Sequence, residues 1–275
     1  MHLRHSCSPL SRHIAGLMVG FAFSLAPGAA SAQPRPNILF LFGDNWHYEH
    51  AGANGGTAVK TPVFDRVARE GARFTRAFCP VPSCGPTRSS LVTGRAAHEL
   101  EDLANHGGIF HGKFRVFVDA LAVAGYHVGY SGKGWAPGIY EGHGRTESPT
   151  GKLYRDFPGF LAARKEAQPF FFWFGSTHTA LRYWKRGAGA KSTVDPARVR
   201  VPGYLPDVPV VREEIANYLA QVEVMDAAFG QAIALLESRG DLENTIVIHG
   251  SDNGWQMPRG LANVYDAGCH VPLAI

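Results

Sequence analysis

The chain has 275 residues, of which 45% are hydrophobic and 18% charged, so it can bury a substantial core as one large domain. Its formal net charge is +4, with 27 basic against 23 acidic residues. Because no basic run accompanies this small excess, the sequence excludes bulk binding of nucleic acid through many phosphate contacts.

The first residues carry the features of an export signal. Arg4 and Arg12 supply positive charge, an apolar run covers residues 14–26, and residues 30–32 have the small-x-small form of a signal-peptidase site. The apolar run is short for a bilayer span. We therefore expect a signal peptide over residues 1–32, a periplasmic or secreted product with no transmembrane segment, and one domain over residues 33–275. A buried N-terminal helix is the alternative.

Three cysteines follow the predicted signal, namely Cys79, Cys84 and Cys269. An odd number in an exported protein indicates one unpaired thiol. Cys84 is our candidate for it, although the sequence also allows a buried structural thiol or a disulfide with Cys79. No CxxC pair or Cys/His ligand spacing is present, which argues against structural zinc.

Two apolar runs predict buried strands that end in oxygen-bearing side chains. Residues 37–42 are followed by Asp44 and Asn45, and residues 245–249 are followed by Asp252 and Asn253. Open α/β sheets place their sites at the carboxyl ends of such strands. Carboxylate and amide oxygens suit Ca²⁺ or Mg²⁺, so the four side chains are candidate metal ligands. The alternative for each pair is a purely structural role, as a helix cap or in a turn.

Two further predicted strands end in titratable side chains. Residues 126–130 lead to Lys133, and the very apolar residues 169–174 lead to His178. A histidine at a strand end could act as a general acid near neutral pH. A solvated loop lysine and a hydrogen-bonded structural histidine are the alternatives.

The remaining periodicity predicts helices and one short strand. Apolar spacing predicts helices over residues 63–71, 117–124 and 211–239, and residues 73–78 are expected to form a strand. Alternating strands and helices of this kind favour an α/β fold with a mostly parallel sheet.

Residues 83–95 predict a turn that runs into a helix. Pro86 suits the first helical turn, where its missing N–H is not needed. Cys84 therefore precedes the free N–H groups at the positive end of a helix, where a nucleophile could face an anionic group.

This stretch resembles the signature of the type I sulfatases in the alkaline-phosphatase-like superfamily. The match is Cys84-x-Pro86-x-Arg88 followed by Ser-Leu-Val-Thr-Gly-Arg, and residues 61–71, 251–254 and 258–272 are also similar to family segments. The resemblance implies a three-layer α/β/α sandwich and a sulfatase catalytic domain over residues 33–275, with its C-terminal part missing.

The resemblance also implies a chemistry. Cys84 would be oxidised to formylglycine by a formylglycine-generating or anaerobic maturation enzyme, and its hydrate would attack sulfur. Arg88 would orient the hydrate, Lys133 would hold sulfate, and His178 would protonate the leaving atom.

The resemblance also implies a metal ion. The ion, Ca²⁺ or alternatively Mg²⁺, would be held by Asp44, Asn45, Cys84, Asp252 and Asn253. Asp226 would be structural. The substrate would be a sulfated small molecule or glycan carrying a sulfate ester or a sulfamate, as in heparan N-sulfatase-like members.

Several positions depart from the family pattern. Asn45 replaces an Asp, Leu261 replaces a sulfate-binding Lys, His270 replaces an Arg, and no His follows Lys133. Arg259 is a candidate replacement for the lost lysine charge. Two other functions stay open. The same fold also hydrolyses phosphate and phosphonate esters, and Leu261 with the missing His suggests an inactive protein that binds sulfated glycans.

Overall fold

The computed structural model describes residues 35–183 and 193–275. The predicted signal peptide over residues 1–32 lies outside these ranges. The described chain is built on one six-stranded sheet with the strand order β3-β2-β4-β1-β5-β6. The strands are β1 (Asn37–Gly43), β2 (His127–Gly132), β3 (Lys152–Leu153), β4 (Phe170–Gly175), β5 (Thr245–Ser251) and β6 (Leu273–Ala274).

Neighbouring strands are parallel except for β5 with β6. In the central strands β1 and β4 nearly every residue is buried. A strand covered on both faces needs such a continuous apolar run, which is why the sequence pattern was informative. The predicted mostly parallel sheet is confirmed.

Helices cover both faces of the sheet. They are α1 (Pro62–Glu70), α2 (Cys84–Thr93), α3 (Phe117–Val123), α4 (Phe157–Ala163), α5 (Pro209–Arg239) and α6 (Asp266–Cys269). Successive side chains of a strand point to opposite faces. Leu39 and Leu41 pack with α1, α4 and α5, whereas Phe40 and Phe42 pack with α2 and α3. The predicted three-layer arrangement is therefore confirmed.

One predicted strand is wrong. Residues 73–78 form no continuous ladder: Arg73 makes an isolated bridge to Ala274, Phe78 makes another to His270, and a turn separates the two. The turn interrupts the pairing, so the segment meets the chain around β6 through two isolated bridges and separate backbone hydrogen bonds, such as that from the N–H of Phe74 to the oxygen of Leu273 at 2.9 Å.

Helix α5 is long and apolar enough to cross a membrane by length and composition, and half of its most apolar window is buried within the domain. Its buried stripe includes Leu219, Met225 and Phe229, which pack in the core cluster against β1 and β4. Packing on the sheet therefore accounts for the apolar composition of this helix.

Asp226 on α5 caps a different helix. Its two carboxylate oxygens accept the backbone N–H groups of Val63 and Phe64, at 2.9 and 3.0 Å, in the first turn of α1. Burial raises the pKa of Asp226 to about 6, even though the two backbone hydrogen bonds favour its charged form. The structural role implied for Asp226 thus has a specific basis: it satisfies donors that α1 cannot satisfy itself.

Replacing Asp226 with asparagine is expected to lower the free energy of unfolding by about 1–3 kcal/mol, because the amide nitrogen would face a backbone donor inside the protein. Urea unfolding monitored by circular dichroism measures the change. The exposed Glu213 on the same helix provides a matched control, since Glu213→Gln should cost less than about 0.5 kcal/mol. Equal effects of the two substitutions would contradict the capping role.

His249 on β5 is fully buried among the rings of Trp46, Phe64 and Phe229. Among the described residues neither of its ring nitrogens has a hydrogen-bond partner. Burial lowers the pKa of His249 to about 3. The unfolded chain, in which this histidine titrates near its ordinary pKa of about 6.5, therefore binds more protons than the folded chain between pH 6.5 and 3.

Because of this difference, stability should rise with pH across that window and fall on acidification. We expect the free energy of unfolding of the wild type to fall faster than that of His249→Phe by up to about 1.4 kcal/mol per pH unit below pH 6. Urea unfolding of both proteins at pH 7, 6 and 5 measures the difference. Parallel curves would show that His249 is not responsible for acid sensitivity.

Candidate active site

The sheet brings the two oxygen-bearing strand ends together. β1 and β5 are neighbours, with Gly43 opposite Ser251, so the residues that follow each strand emerge side by side. The backbone N–H of Asn45 donates to Oδ1 of Asp252 at 3.0 Å, and Nδ2 of Asn253 donates to Oδ1 of Asn45 at 2.8 Å. Asp44, Asn45, Asp252 and Asn253 are all buried.

Cys84 opens α2 directly against this group. Its Sγ lies 3.2 Å from Oδ1 of Asp44 and 3.8 Å from Oδ1 of Asn45. Ligand atoms of Asp44, Cys84 and Asp252 all lie within 4.8 Å of one another. Burial, reinforced by the charges of Asp252 and Asp44, raises the pKa of the Cys84 thiol far above its ordinary value. As a thiol this group would therefore stay protonated and would be a weak nucleophile.

Arg88 lies one turn further along α2 and is completely buried. Its Nε donates to Oδ2 of Asp252 at 2.8 Å, and its terminal nitrogen lies 3.5 Å from Oδ1 of Asp44. The same guanidinium donates to the carbonyl oxygens of Lys133 and Gly134, at 3.0 and 2.7 Å. Arg88 thereby links both carboxylates to the loop after β2.

Lys133 reaches the same centre from the end of β2. Its Nζ lies 2.5 Å from Oδ1 of Asp44. Burial alone would raise the pKa of Asp44, but the charges of Arg88 and Lys133 outweigh burial and hold the pKa at about 2. The pKa of Asp252 is raised instead, first because it is buried and also because Asp44 lies beside it.

The donor set fits a hard divalent cation. Two carboxylates and two amides supply oxygen, and Oδ1 of Asn253 is a buried acceptor with no partner among the described residues. Calcium and magnesium prefer oxygen ligands, whereas the sulfur of Cys84 is a soft donor. An oxygen in place of that sulfur would complete a uniform hard set. The residues present therefore fit the ion that the sequence predicted.

Part of this group lines an open cleft of about 1060 Å³. Its lining includes Asp44, Asn45, Cys84, His106, Lys133, Thr177, Arg182, Gln256 and Leu261. The cleft is large enough for a small organic ligand.

His178 is not among the residues that line this cleft. It is exposed, and it lines a neighbouring cavity of about 460 Å³ together with Asp156 and Ser176. Its backbone N–H donates to Oγ of Ser176 at 3.3 Å, and partial burial lowers the pKa of its ring. The structure thus brings Cys84 and Lys133 together without His178, whose role as proton donor stays a prediction.

No sequence motif singles out His106, yet it lines the cleft together with Cys84. Its Nδ1 lies 3.1 Å from Oγ of Ser83, the residue immediately before Cys84. No strand precedes His106, so no local pattern could have singled it out. Only the fold of the segment that carries it reveals the position.

Thr179 makes a contact that the sequence also did not reveal. Its hydroxyl donates to the backbone oxygen of Asp44, which fixes the segment after β4 against the end of β1. This contact anchors one wall of the cleft.

Two residues that depart from the family pattern, Leu261 and His270, differ in their position relative to the cleft. Leu261 lines the cleft, so an apolar side chain stands where a lysine was expected. His270 is instead stacked on Tyr48 and Phe78, with ring centroids 3.8 and 4.6 Å away. It is not part of the cleft lining, and its surroundings indicate a packing role.

Arg259 does not take the place of the missing lysine at the cleft. Its guanidinium lies over the rings of Tyr204 and Tyr265, 5.1 and 5.0 Å from the centroids. Within the described cleft lining, Arg182 is a further cation besides Lys133.

Comparison with known proteins finds a family model and relatives that are all described as sulfatases or sulphohydrolases. The family model described as Sulfatase matches residues 36–144 and 135–275. Human N-sulphoglucosamine sulphohydrolase is 29% identical over 293 residues, which cover 92% of this chain and 57% of the human protein. The N-acetylglucosamine-6-O-sulfatase of Bacteroides thetaiotaomicron is 33% identical over 99 residues, which cover 36% of this chain and 18% of that protein.

Solved structures agree on the fold. The protein yidJ from Bacteroides fragilis, described as a sulfatase, has a TM-score of 0.66 at 21% identity, covering 90% of this chain and 69% of its own. A 2-O GAG sulfatase has a TM-score of 0.63 at 18% identity, covering 87% of this chain and 64% of its own. The chain thus spans a little over half of the human relative and about two thirds of these structures.

Proposed function

Because the chain belongs to the sulfatase family, we propose that it hydrolyses a sulfate ester or a sulfamate at the cleft that contains Cys84. One observation carries the proposal: Cys84 meets Asp44 and Asp252 within 4.8 Å, at the meeting point of two strand ends and a helix start. Cations from Arg88 and Lys133 adjoin the same group, as binding of an anionic substrate requires.

The position of Cys84 favours a modified side chain. The raised pKa makes the thiol itself a poor nucleophile, whereas formylglycine made at this position by a maturation enzyme would supply a hydrated aldehyde oxygen. A bound Ca²⁺ or Mg²⁺, held by Asp44, Asn45, Asp252, Asn253 and residue 84, would supply positive charge next to the sulfate oxygens.

The other residues of the site would bind the sulfate group, orient the groups around it and supply a proton. Lys133 is close enough to the centre to attract a sulfate oxygen with its ammonium group. Arg88 is held by both carboxylates and two carbonyl oxygens. It would therefore fix the positions of the two carboxylates relative to residue 84. His178 remains the proposed donor of a proton to the departing oxygen or nitrogen.

The names of two relatives support a proposal for the substrate class. The names of the human and Bacteroides relatives refer to sulfated glucosamine derivatives, so we propose a sulfated glycan or a fragment of one as substrate. The features of residues 1–32 favour action in the periplasm or outside the cell.

A comparison of a sulfate ester with a phosphate ester tests the reaction class. The chain is co-expressed with a formylglycine-generating enzyme, supplied with Ca²⁺, and assayed with 4-nitrophenyl sulfate and 4-nitrophenyl phosphate, which share one phenol. We expect the sulfate ester to be hydrolysed with the larger kcat/KM. Preference for the phosphate ester would replace this proposal with the phosphate or phosphonate hydrolase of the same fold. Glucosamine N-sulfate in the same assay separates sulfamate from ester hydrolysis.

Leu261 favours a second candidate, an inactive protein that binds sulfated glycans, because an apolar side chain lines the cleft where a lysine was expected. If a charged contact to sulfate is lost there, Leu261→Lys should restore roughly 2–4 kcal/mol of transition-state stabilisation, or about 30- to 1000-fold in kcat/KM. Leu261→Met is the matched control, since it keeps an apolar side chain of similar size.

Equal rates for the lysine and methionine variants would show that another cation already supplies the charge. Glycan binding by a wild type that shows no turnover, together with a gain in the lysine variant, would establish the second candidate.

A further inference from the structure

Two cysteines outside the proposed chemistry face each other across an antiparallel contact. The backbone N–H of Cys79 donates to the carbonyl of Cys269 at 2.9 Å, and that of Val271 donates to Ala77 at 3.0 Å. These bonds flank the bridge between Phe78 and His270. Opposite residues that are joined by backbone hydrogen bonds in an antiparallel pair have Cα atoms about 5.5 Å apart, which lies within the range that a disulfide spans.

The two thiols differ in their exposure to solvent. Cys79 is buried and Cys269 is partly exposed. Burial raises the pKa of Cys79 to about 12, with a further rise from its interactions with Cys269. Burial also raises the pKa of Cys269, although a hydrogen bond with the Cys79 thiol opposes that rise. Cys269 is therefore the thiol that an oxidant meets first.

The third described thiol points elsewhere. Sγ of Cys84 contacts the side chains of Asp44 and Asn45. The disulfide between Cys79 and Cys84 that the sequence allowed is therefore not the pairing that the fold favours.

We propose that Cys79 and Cys269 form a disulfide when the folded chain meets a disulfide oxidant such as glutathione disulfide. The thiolate of Cys269 attacks one glutathione sulfur, forming a mixed disulfide and releasing one glutathione thiolate. The thiolate of Cys79 then attacks the Cys269 sulfur and releases the second glutathione. Overall the two cysteines lose two protons and two electrons, and one glutathione disulfide becomes two glutathione thiols.

The bond would have two consequences. It would tie the segment that leads into α2 to the last residue of α6. These two parts are far apart in sequence, and a cross-link over so long a loop restricts the unfolded chain. It would also leave Cys84 as the single unpaired thiol among the described cysteines. This inference does not depend on the proposed reaction.

Peptide mapping tests the pairing directly. Trypsin releases residues 77–88, which contain both Cys79 and Cys84, and a separate peptide beginning at Gly260 that contains Cys269. The folded, reduced chain is treated with glutathione disulfide, blocked with N-ethylmaleimide and digested. We expect the two peptides to be cross-linked, with Cys84 carrying the blocking group.

A disulfide closed within peptide 77–88, or three blocked thiols, would overturn the proposal. The Cys84→Ala variant should keep the cross-link, and Cys79→Val with Cys269→Val should lose it. The urea midpoint provides a second readout: oxidation should raise it in the wild type and in Cys84→Ala, and leave it unchanged in the double valine variant. An unchanged midpoint in the wild type despite a cross-link would show that the disulfide does not stabilise the fold.

Discussion

Replacing Cys84 with alanine is expected to abolish hydrolysis of 4-nitrophenyl sulfate, lowering kcat by roughly 10⁴-fold or more, the range observed when a covalent nucleophile is removed. The reason is positional, because the Sγ atom of residue 84 lies within 4.8 Å of both carboxylates and the residue lines the cleft. Steady-state kinetics of the protein co-expressed with a maturation enzyme measures the effect.

Cys79→Ala is the matched control for this substitution. It removes another buried thiol near α2 that takes no part in the proposed reaction, so most of the activity should remain. A Cys84→Ala protein that keeps its circular dichroism spectrum and hydrolyses the ester at the wild-type rate would eliminate residue 84 as the nucleophile.

Replacing Arg88 with leucine is expected to lower the free energy of unfolding by about 3–5 kcal/mol. The substitution leaves the carboxylates of Asp44 and Asp252 buried with Lys133 as their remaining cation, and an uncompensated buried charge is costly. Urea unfolding at pH 7 without added metal measures the loss. Arg69→Leu is the control, since Arg69 pairs with Glu70 at an exposed site and should contribute only about 0–1 kcal/mol.

Two further measurements identify the cause of that loss. Adding Asp252→Asn to Arg88→Leu should recover part of the stability, because it removes the carboxylate left without its partner. Calcium should raise the urea midpoint of Arg88→Leu more than that of the wild type, because a bound cation would neutralise the same carboxylates. Equal costs for the Arg88 and Arg69 substitutions would contradict the central position of Arg88.

The strand-end residues were predictable because local signals placed them. Continuous apolar runs marked β1 and β5 as buried parallel strands, and the carboxyl ends of neighbouring parallel strands meet at one edge. Asp44 and Asp252 could therefore be expected to converge although about 200 residues separate them. The start of α2 was equally visible, since Pro86 marks a first helical turn next to Cys84.

Other features depended on contacts that leave no local pattern. The capping of α1 by Asp226, the position of His106 and the pairing of Cys79 with Cys269 arise from segments that only the finished fold brings together. The position of His178 shows the limit of the strand-end argument: it follows β4, but it lines the neighbouring cavity.

The mass of tryptic peptide 77–88, taken from protein co-expressed with a maturation enzyme, tests the central claim most directly. The claim predicts that Cys84 has lost its sulfur and carries an aldehyde, that Cys79 keeps its sulfur, and that sulfate release scales with the converted fraction. A peptide in which Cys84 remains a thiol, from a preparation that nevertheless hydrolyses the sulfate ester, would contradict it.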